Sequence, residues 1–176
     1  MKNINLLILA LFGMFVFQAC EGPQGPQGVP GEPGTNIVGT TYEVEVDFTA
    51  EDDYGAFFDF TEPLVDGDVV LVYMLEENPI ELETYGWRLL PQTFYIGNEI
   101  LVYNFDYTLD DFSIFMDNSP IDFSTLDPYY TTGVTFRVVV LPSDLANARV
   151  DFTDYEGTMD LLNISEEDFV KLEPKK

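Results

Sequence analysis

The sequence predicts an all-β fold, an antiparallel β-sandwich with one or two short helices, standing behind an extended Gly-X-Y tether. Three observations predict it. Tyr42, Val44, Val46 and Phe48 alternate with Glu43, Glu45, Asp47 and Thr49, the period of a strand with one buried and one acidic face. Val69–Met74 is apolar on both faces, as a strand covered on two sides is, and Val134–Leu141 is a strong strand stopped at Pro142. Seven or eight such short runs follow one another with turn residues between them, which favours a sandwich over a barrel. The chain divides at composition shifts into residues 1–19, 20–36 and 37–176.

Taken in order, Glu51-Asp52-Asp53-Tyr54-Gly55 reads as a turn, and Ala56–Phe60 as a strand with Phe58 and Phe60 inward. Asp66-Gly67-Asp68 turns tightly into the apolar run from Val69. Glu76–Glu83 reads as an acidic loop around Pro79, and Trp87–Leu90 as a strand that Pro91 ends or bulges, with Trp87 in the core. Phe94–Ile96, Gly97-Asn98 and Ile100–Tyr107 form a β-hairpin, with Leu101, Tyr103, Phe105 and Tyr107 on one face. Asp110-Asp111 leads into Phe112–Met116, and Asp122–Leu126 suits one helical turn in a loop-rich segment punctuated by Asn118-Ser119-Pro120 and Pro128. Ser143–Ala148 and Asp154–Leu162 suit short helices, the second with Tyr155, Met159 and Leu162 on a shared face. Ile164–Leu172 stays open: Ser165-x-x-Asp168 has the form of a helix cap, while Phe169, Val170 and Leu172 suit an edge strand.

Composition removes whole classes of chemistry. Asp and Glu number 32 against 7 Lys and Arg, a net charge of −25, so the domain repels nucleic acid and anionic membrane surfaces. Between Glu21 and Val170 the cations are Arg88, Arg137 and Arg149 alone. There is no histidine, which removes Ser-His and Cys-His nucleophiles and His-based metal sites. No phosphate-cradling motif is present, and Lys171, Lys175 and Lys176 lie in the tail, away from any buried Schiff-base position. Acidity alone would suggest disorder, but 46% of residues are hydrophobic and 15% aromatic, enough for a core; only the tether and the last few residues are expected to lack structure.

The N-terminus carries an address. Lys2 precedes an apolar run from Leu6 to Phe17, the length of a signal-peptide core and too short to span a bilayer. Ala19 then precedes Cys20, the one cysteine. This segment resembles a bacterial lipoprotein signal, in which the cysteine becomes the first mature residue and carries lipid; Phe17 and Gln18 stand where that motif usually has Leu and a small residue. The resemblance implies several acyl chains on Cys20, which anchor stably where one would not. Ordinary secretion with cleavage after Ala19 is the alternative, and it leaves a lone exposed thiol. Glycines at 22, 25, 28, 31 and 34 then mark five Gly-X-Y triplets, a collagen signature. Five triplets are few for a triple helix, so a single-chain spacer reaching about 45 Å is the expectation, with a monomer favoured over a trimer.

Carboxylate clusters are the candidates for chemistry. Asp66 with Asp68, Asp106 with Asp110 and Asp111, Glu51 with Asp52 and Asp53, and Asp151 with Asp154 and Glu156 all lie at expected strand ends. Calcium takes about six to eight oxygen ligands, which two such loops could supply together, but none has the spacing of a calcium loop. The plainer reading is that they are turn residues, and no cofactor is expected. No carboxylate pair is singled out for glycoside hydrolysis, and no nucleophile–base arrangement marks an enzyme. Among aromatics able to stack on a sugar, Tyr129-Tyr130 after Pro128 is the best exposed pair; Tyr85, Tyr95 and Trp87 are further candidates.

Taken whole, the lipidated cysteine, the short Gly-X-Y run and segments such as Trp87–Thr93, Tyr103–Tyr107 and Phe136–Val140 resemble the small collagen-like lipoproteins of Bacteroidota. The resemblance implies the outer membrane, with the periplasmic or cell-surface face open, and no particular activity. The expected function is that of a non-enzymatic, lipid-anchored envelope protein acting through a protein partner or as a structural module. A glycan- or calcium-binding accessory module is the second reading, and a trimeric stalked adhesin the third.

Overall fold

Alternating inward aromatics need a second apolar layer, and two sheets supply it. The computed structural model describes residues 40–77, 81, 84–117, 121–146 and 150–175, all within the unit Asn36–Lys176. The leader, Cys20, the Gly-X-Y triplets, Pro79, Asn118–Pro120, residues 147–148 and Arg149 lie outside them. Nine strands are described: β1 Thr41–Val46, β2 Gly55–Asp59, β3 Val69–Glu77, β4 Tyr85–Leu89, β5 Gln92–Ile96, β6 Glu99–Tyr107, β7 Asp111–Asp117, β8 Val134–Leu141 and β9 Val170–Leu172. The first sheet has the order β4-β3-β8-β1-β9 and the second β2-β7-β6-β5. All pairings are antiparallel except β9 with β1, which is parallel. The all-β sandwich expected from the sequence is the observed architecture.

The core between the sheets is aromatic. Tyr42, Val44, Val46 and Phe48 face Phe58, Phe60, Leu101, Tyr103 and Phe112 across it, and all are buried. Phe58 stacks on Phe112 at 5.0 Å between ring centroids, and Phe48 meets Phe136 edge-on at 6.1 Å, arrangements that add to simple area burial. The buried Tyr103 hydroxyl donates to the Tyr130 carbonyl at 2.5 Å, so its polar end is satisfied. Burial pushes its ionisation far above the ordinary tyrosine range.

The first sheet has a second apolar face, as the two-sided run from Val69 demands. Leu71, Tyr73, Val139 and Leu141 point outward and are covered by Tyr155, Met159 and Leu162 of a helix. A short helix α1 spans Ser143–Ala146, and this covering helix α2 spans Tyr155–Leu162. The Asp154 carboxylate caps α2 by accepting from Gly157 N at 3.1 Å, and Asn163 ends it in the left-handed region at φ 53°. The open segment from Ile164 resolves as both readings at once. Ser165 and Asp168 form a capping box around a short 3-10 turn, and Val170–Leu172 then pairs with β1.

Three expectations change. The loop expected from Glu76 begins later, because β3 continues to Glu77 against β4. Trp87 is half-buried, packed against the outer apolar cluster and over a cation, not between the two sheets. The last residues are ordered through Lys175, whose amide donates to the Phe57 carbonyl at 2.7 Å.

The cation beneath Trp87 is Arg137, which is 6% exposed. On β8 it stands directly opposite Glu43 of β1. Its Nε and Nη2 donate to one Glu43 oxygen at 3.1 and 3.0 Å, Nη1 donates to the Tyr155 hydroxyl at 2.5 Å and to Glu166 at 2.7 Å, and Nη2 also pairs with Glu166. The flat faces lie 4.3 Å from the Trp87 ring centroid and 4.1 Å from that of Phe169. Burial alone would depress its ionisation, but the hydrogen bonds to Glu166, Tyr155 and Glu43 outweigh it and hold the charge firmly. Removing one partner of a buried pair leaves the others uncompensated. Arg137→Ala is therefore expected to lower the unfolding free energy by about 3 kcal/mol or more in urea titration. Arg137→Lys should recover only part of it, since an ammonium can neither bridge these acceptors nor lie flat between two rings.

Candidate functional site

Local hydrogen bonding decides what the carboxylate clusters do. Asp68 accepts from Val65 N at 2.9 Å and Ser143 N at 3.3 Å, while its neighbour Asp66 is exposed in the turn that Gly67 makes at φ +96°. Asp52 accepts from the Thr49 hydroxyl at 2.7 Å, and Asp151 from Thr153 N and Oγ1 at 3.1 and 2.6 Å. Asp106 is bound by the Ser113 hydroxyl across the β6–β7 pair, and Asp111 by the Thr108 hydroxyl at 2.6 Å. Asp110 is exposed in the same turn, where its backbone N donates to the Thr108 hydroxyl at 3.1 Å. Among the described residues, no group of three or more His, Cys, Asp or Glu could hold a metal ion. The carboxylates proposed from the sequence as calcium ligands, Asp66, Asp68, Asp106, Asp110 and Asp111, are thus not gathered into one site.

The tyrosine pair is divided by its turn. Pro128–Tyr130 is a short 3-10 turn capped by Asp127, which accepts from Tyr129 N at 2.9 Å. The turn sends Tyr130 inward against Phe94, with ring centroids 5.8 Å apart, so Tyr130 supports the core and is not an exposed ligand platform. Tyr129 stays 55% exposed, edge-on to Tyr130. Its hydroxyl is pushed above the ordinary range by partial burial and by the charges of Glu76 and Glu77, with Tyr85 also near. Tyr85, the first residue of β4, is 65% exposed, and Tyr95 on β5 is 79% exposed. Glu76 is held in an ion pair by Arg88.

A concavity lies on one flank, between the strands β1 and β2. β9 covers β1 only at Tyr42–Val44, so Glu45 and Val46 are paired with β8 alone. β2 is the outermost strand of the second sheet. Between them runs a groove of about 1330 Å³, walled by Glu45, Val46 and Asp47 on one side, Ala56 and Phe57 on the other, and Leu172–Lys175 at one end. The C-terminal segment crosses the flank: Lys171 Nζ lies 3.4 Å from Glu43, and Lys175 Nζ lies 3.2 Å from Asp111 and also pairs with Asp59. Asp59 and Asp111 stand directly opposite one another across β2 and β7, a like-charge pair that Lys175 neutralises. Sequence reasoning missed Asp59 and the docked lysine, because the pairing of β2 with β7 spans more than 50 residues and carries no local signal.

Asp111 is held below its usual range first by the Thr108 hydroxyl and then by Lys175, and Lys175 is raised first by Asp59 and then by Asp111. A depressed acid supports the docked state above its unfolded value of 3.8, and a raised lysine supports it below 10.5. The tail is therefore expected to stay docked from about pH 5 to pH 9. It should loosen as pH falls below 3.8 or rises above 10.5, read from the Lys175 amide chemical shift by NMR.

Among the described residues no helix is long and apolar enough to cross a membrane. Comparison with known proteins finds no matching family model, no matching curated protein and no matching solved structure.

Proposed function

We propose that the chain is a non-enzymatic, lipid-anchored protein of the cell envelope, held at the outer membrane through Cys20, whose acidic sandwich binds a protein partner. The observation that carries the binding half is the groove between β1 and β2, bordered by two sheet edges and by Glu45, Asp47 and Asp52. A concave surface with backbone edges, on which acids outnumber the tail's Lys171 and Lys175, suits a basic protein rather than a nucleic acid or an anionic lipid surface. The anchoring half rests on Ala19-Cys20 behind the apolar run from Leu6. The Gly-X-Y run then serves as a spacer on a monomer. Labelled palmitate is expected to enter the wild-type chain, and Cys20→Ser is expected to lose both the label and sedimentation with envelopes. A Cys20→Ser protein that still pellets with membranes overturns the anchor. Crosslinking in intact cells tests the partner, with crosslinks expected on the β1–β2 flank.

A glycan-binding reading keeps one specific observation in its favour: Tyr129 and Tyr85 are both well exposed and offer flat ring faces. On a glycan array, any signal should vanish in both Tyr129→Ala and Tyr85→Ala. Tyr130→Ala should instead lower the melting temperature, since it removes core packing.

A further inference from the structure

The tail shows what chemistry the flank accepts. It is extended, it carries lysines at 171 and 175, and it offers backbone to a sheet edge and ammonium groups to acids. It also stops early. Lys171 stands opposite Glu43, and the ladder ends at Leu172 opposite Val44. Continuing the same parallel register would place Glu173 against Glu45, two like charges, and Pro174 next, which has no N–H to donate. Beyond that point the edge of β1 and the acids Glu45 and Asp47 have no complement from the tail. The hold is modest: β9 has three residues, and the Lys171 side chain is 83% exposed in its ion pair with Glu43, a kind of contact that contributes little.

We propose that the flank between β1 and β2 is a strand-acceptor site, which takes an extended segment of a partner protein bearing Lys or Arg at alternate positions. Resting on the protein-binding reading above, it adds the partner's form: a β-strand that continues the β1 edge past Val44, with basic side chains facing Glu45 and, where it displaces Lys171, Glu43. Residues 43 and 45 point to the outer face, since 42, 44 and 46 are buried in the core, while Asp47 lies past the end of β1 and its carboxylate accepts from Gly133 N at 2.8 Å. A strand with basic residues at alternate positions meets both outward acids of β1. The C-terminal segment is the resident occupant of the first part of this site, and the partner strand either extends beyond it or displaces it.

The test uses the full chain in detergent and two fluorescent hexapeptides, one alternating lysine with valine or leucine, the other carrying glutamate in place of lysine. The lysine peptide is expected to bind, more weakly as salt rises, and about tenfold or more tighter than the glutamate peptide. Glu45→Lys, a change at an exposed position, should weaken it about tenfold, and Lys175→Glu, which loosens the tail, should strengthen it. NMR shifts should centre on Glu45–Asp47. Equal binding of both peptides, no binding to either wild type or Lys175→Glu, or shifts confined elsewhere overturns the inference. So does a dimer with exchanged tails that takes up no peptide, which assigns the flank to a second copy. A crosslinked partner mapped to this flank in cells, with no peptide uptake, sinks the strand form alone and leaves the proposed function in place.

Discussion

One buried guanidinium organises the outer half of this protein. In a chain with 32 acids and 7 basic residues, Arg137 is withdrawn from water on the outer face of the first sheet, where an unpaired charge would cost several kcal/mol. The cost is met by parts from across the chain: Glu43 from β1, Tyr155 from α2, Glu166 from the following turn, Trp87 from β4 and Phe169 just before β9. The guanidinium fork, with its fixed donor directions, sets where the helix, the turn and the last strand lie against the sheet.

Arg137 also marks a boundary along β8. The outward residues run Leu141, Val139, Arg137 and Thr135, from fully buried to half-buried. The apolar end is roofed by α2, and the polar end is open. The same gradient runs along β1, from buried Thr41 through Glu43 to exposed Glu45 and Asp47. The arginine consumes the last acid on the roofed side, Glu43, and beyond it the acids face solvent. The groove runs on from Glu43 past Glu45, with the paired lysines of the tail in its lining.

Much of the fold could be read from the residues because the sheets obey period two. The alternation from Tyr42 to Phe48, the two-sided run of β3, the strong strand β8 and the Gly97-Asn98 hairpin each carry their own signal, and the structure keeps all of them. What could not be read was partnership. Glu43 and Glu166 lie 94 and 29 residues from Arg137, and nothing local joins them. Tyr130 looked exposed because it follows a proline in a loop, yet a three-residue turn rotates it onto Phe94. For the aspartate clusters the sequence favours turn residues and leaves calcium open, because it cannot show that Thr49, Thr108 and Thr153 hydroxyls bond to Asp52, Asp111 and Asp151. The three-residue β9 is one of two readings open for its segment, but nothing in the residues names β1 as its partner or gives its parallel direction.

The open flank raises a question of self-association, since a sheet edge with free backbone groups is a template for another chain. Here the charge pattern answers it. Glu45 is exposed on the open end of β1 and Asp47 follows it, and another copy arrives with the same net negative charge. Repulsion of that kind protects the edge from copies of itself without covering it. It acts by sign and not by shape, so it leaves the backbone available to any extended segment of opposite charge. The chain's own tail is one such segment, and its lysines sit where that rule places them: Lys171 against Glu43, and Lys175 between Asp59 and Asp111. Protection against aggregation and selection of a basic strand are thus one electrostatic property of the same edge.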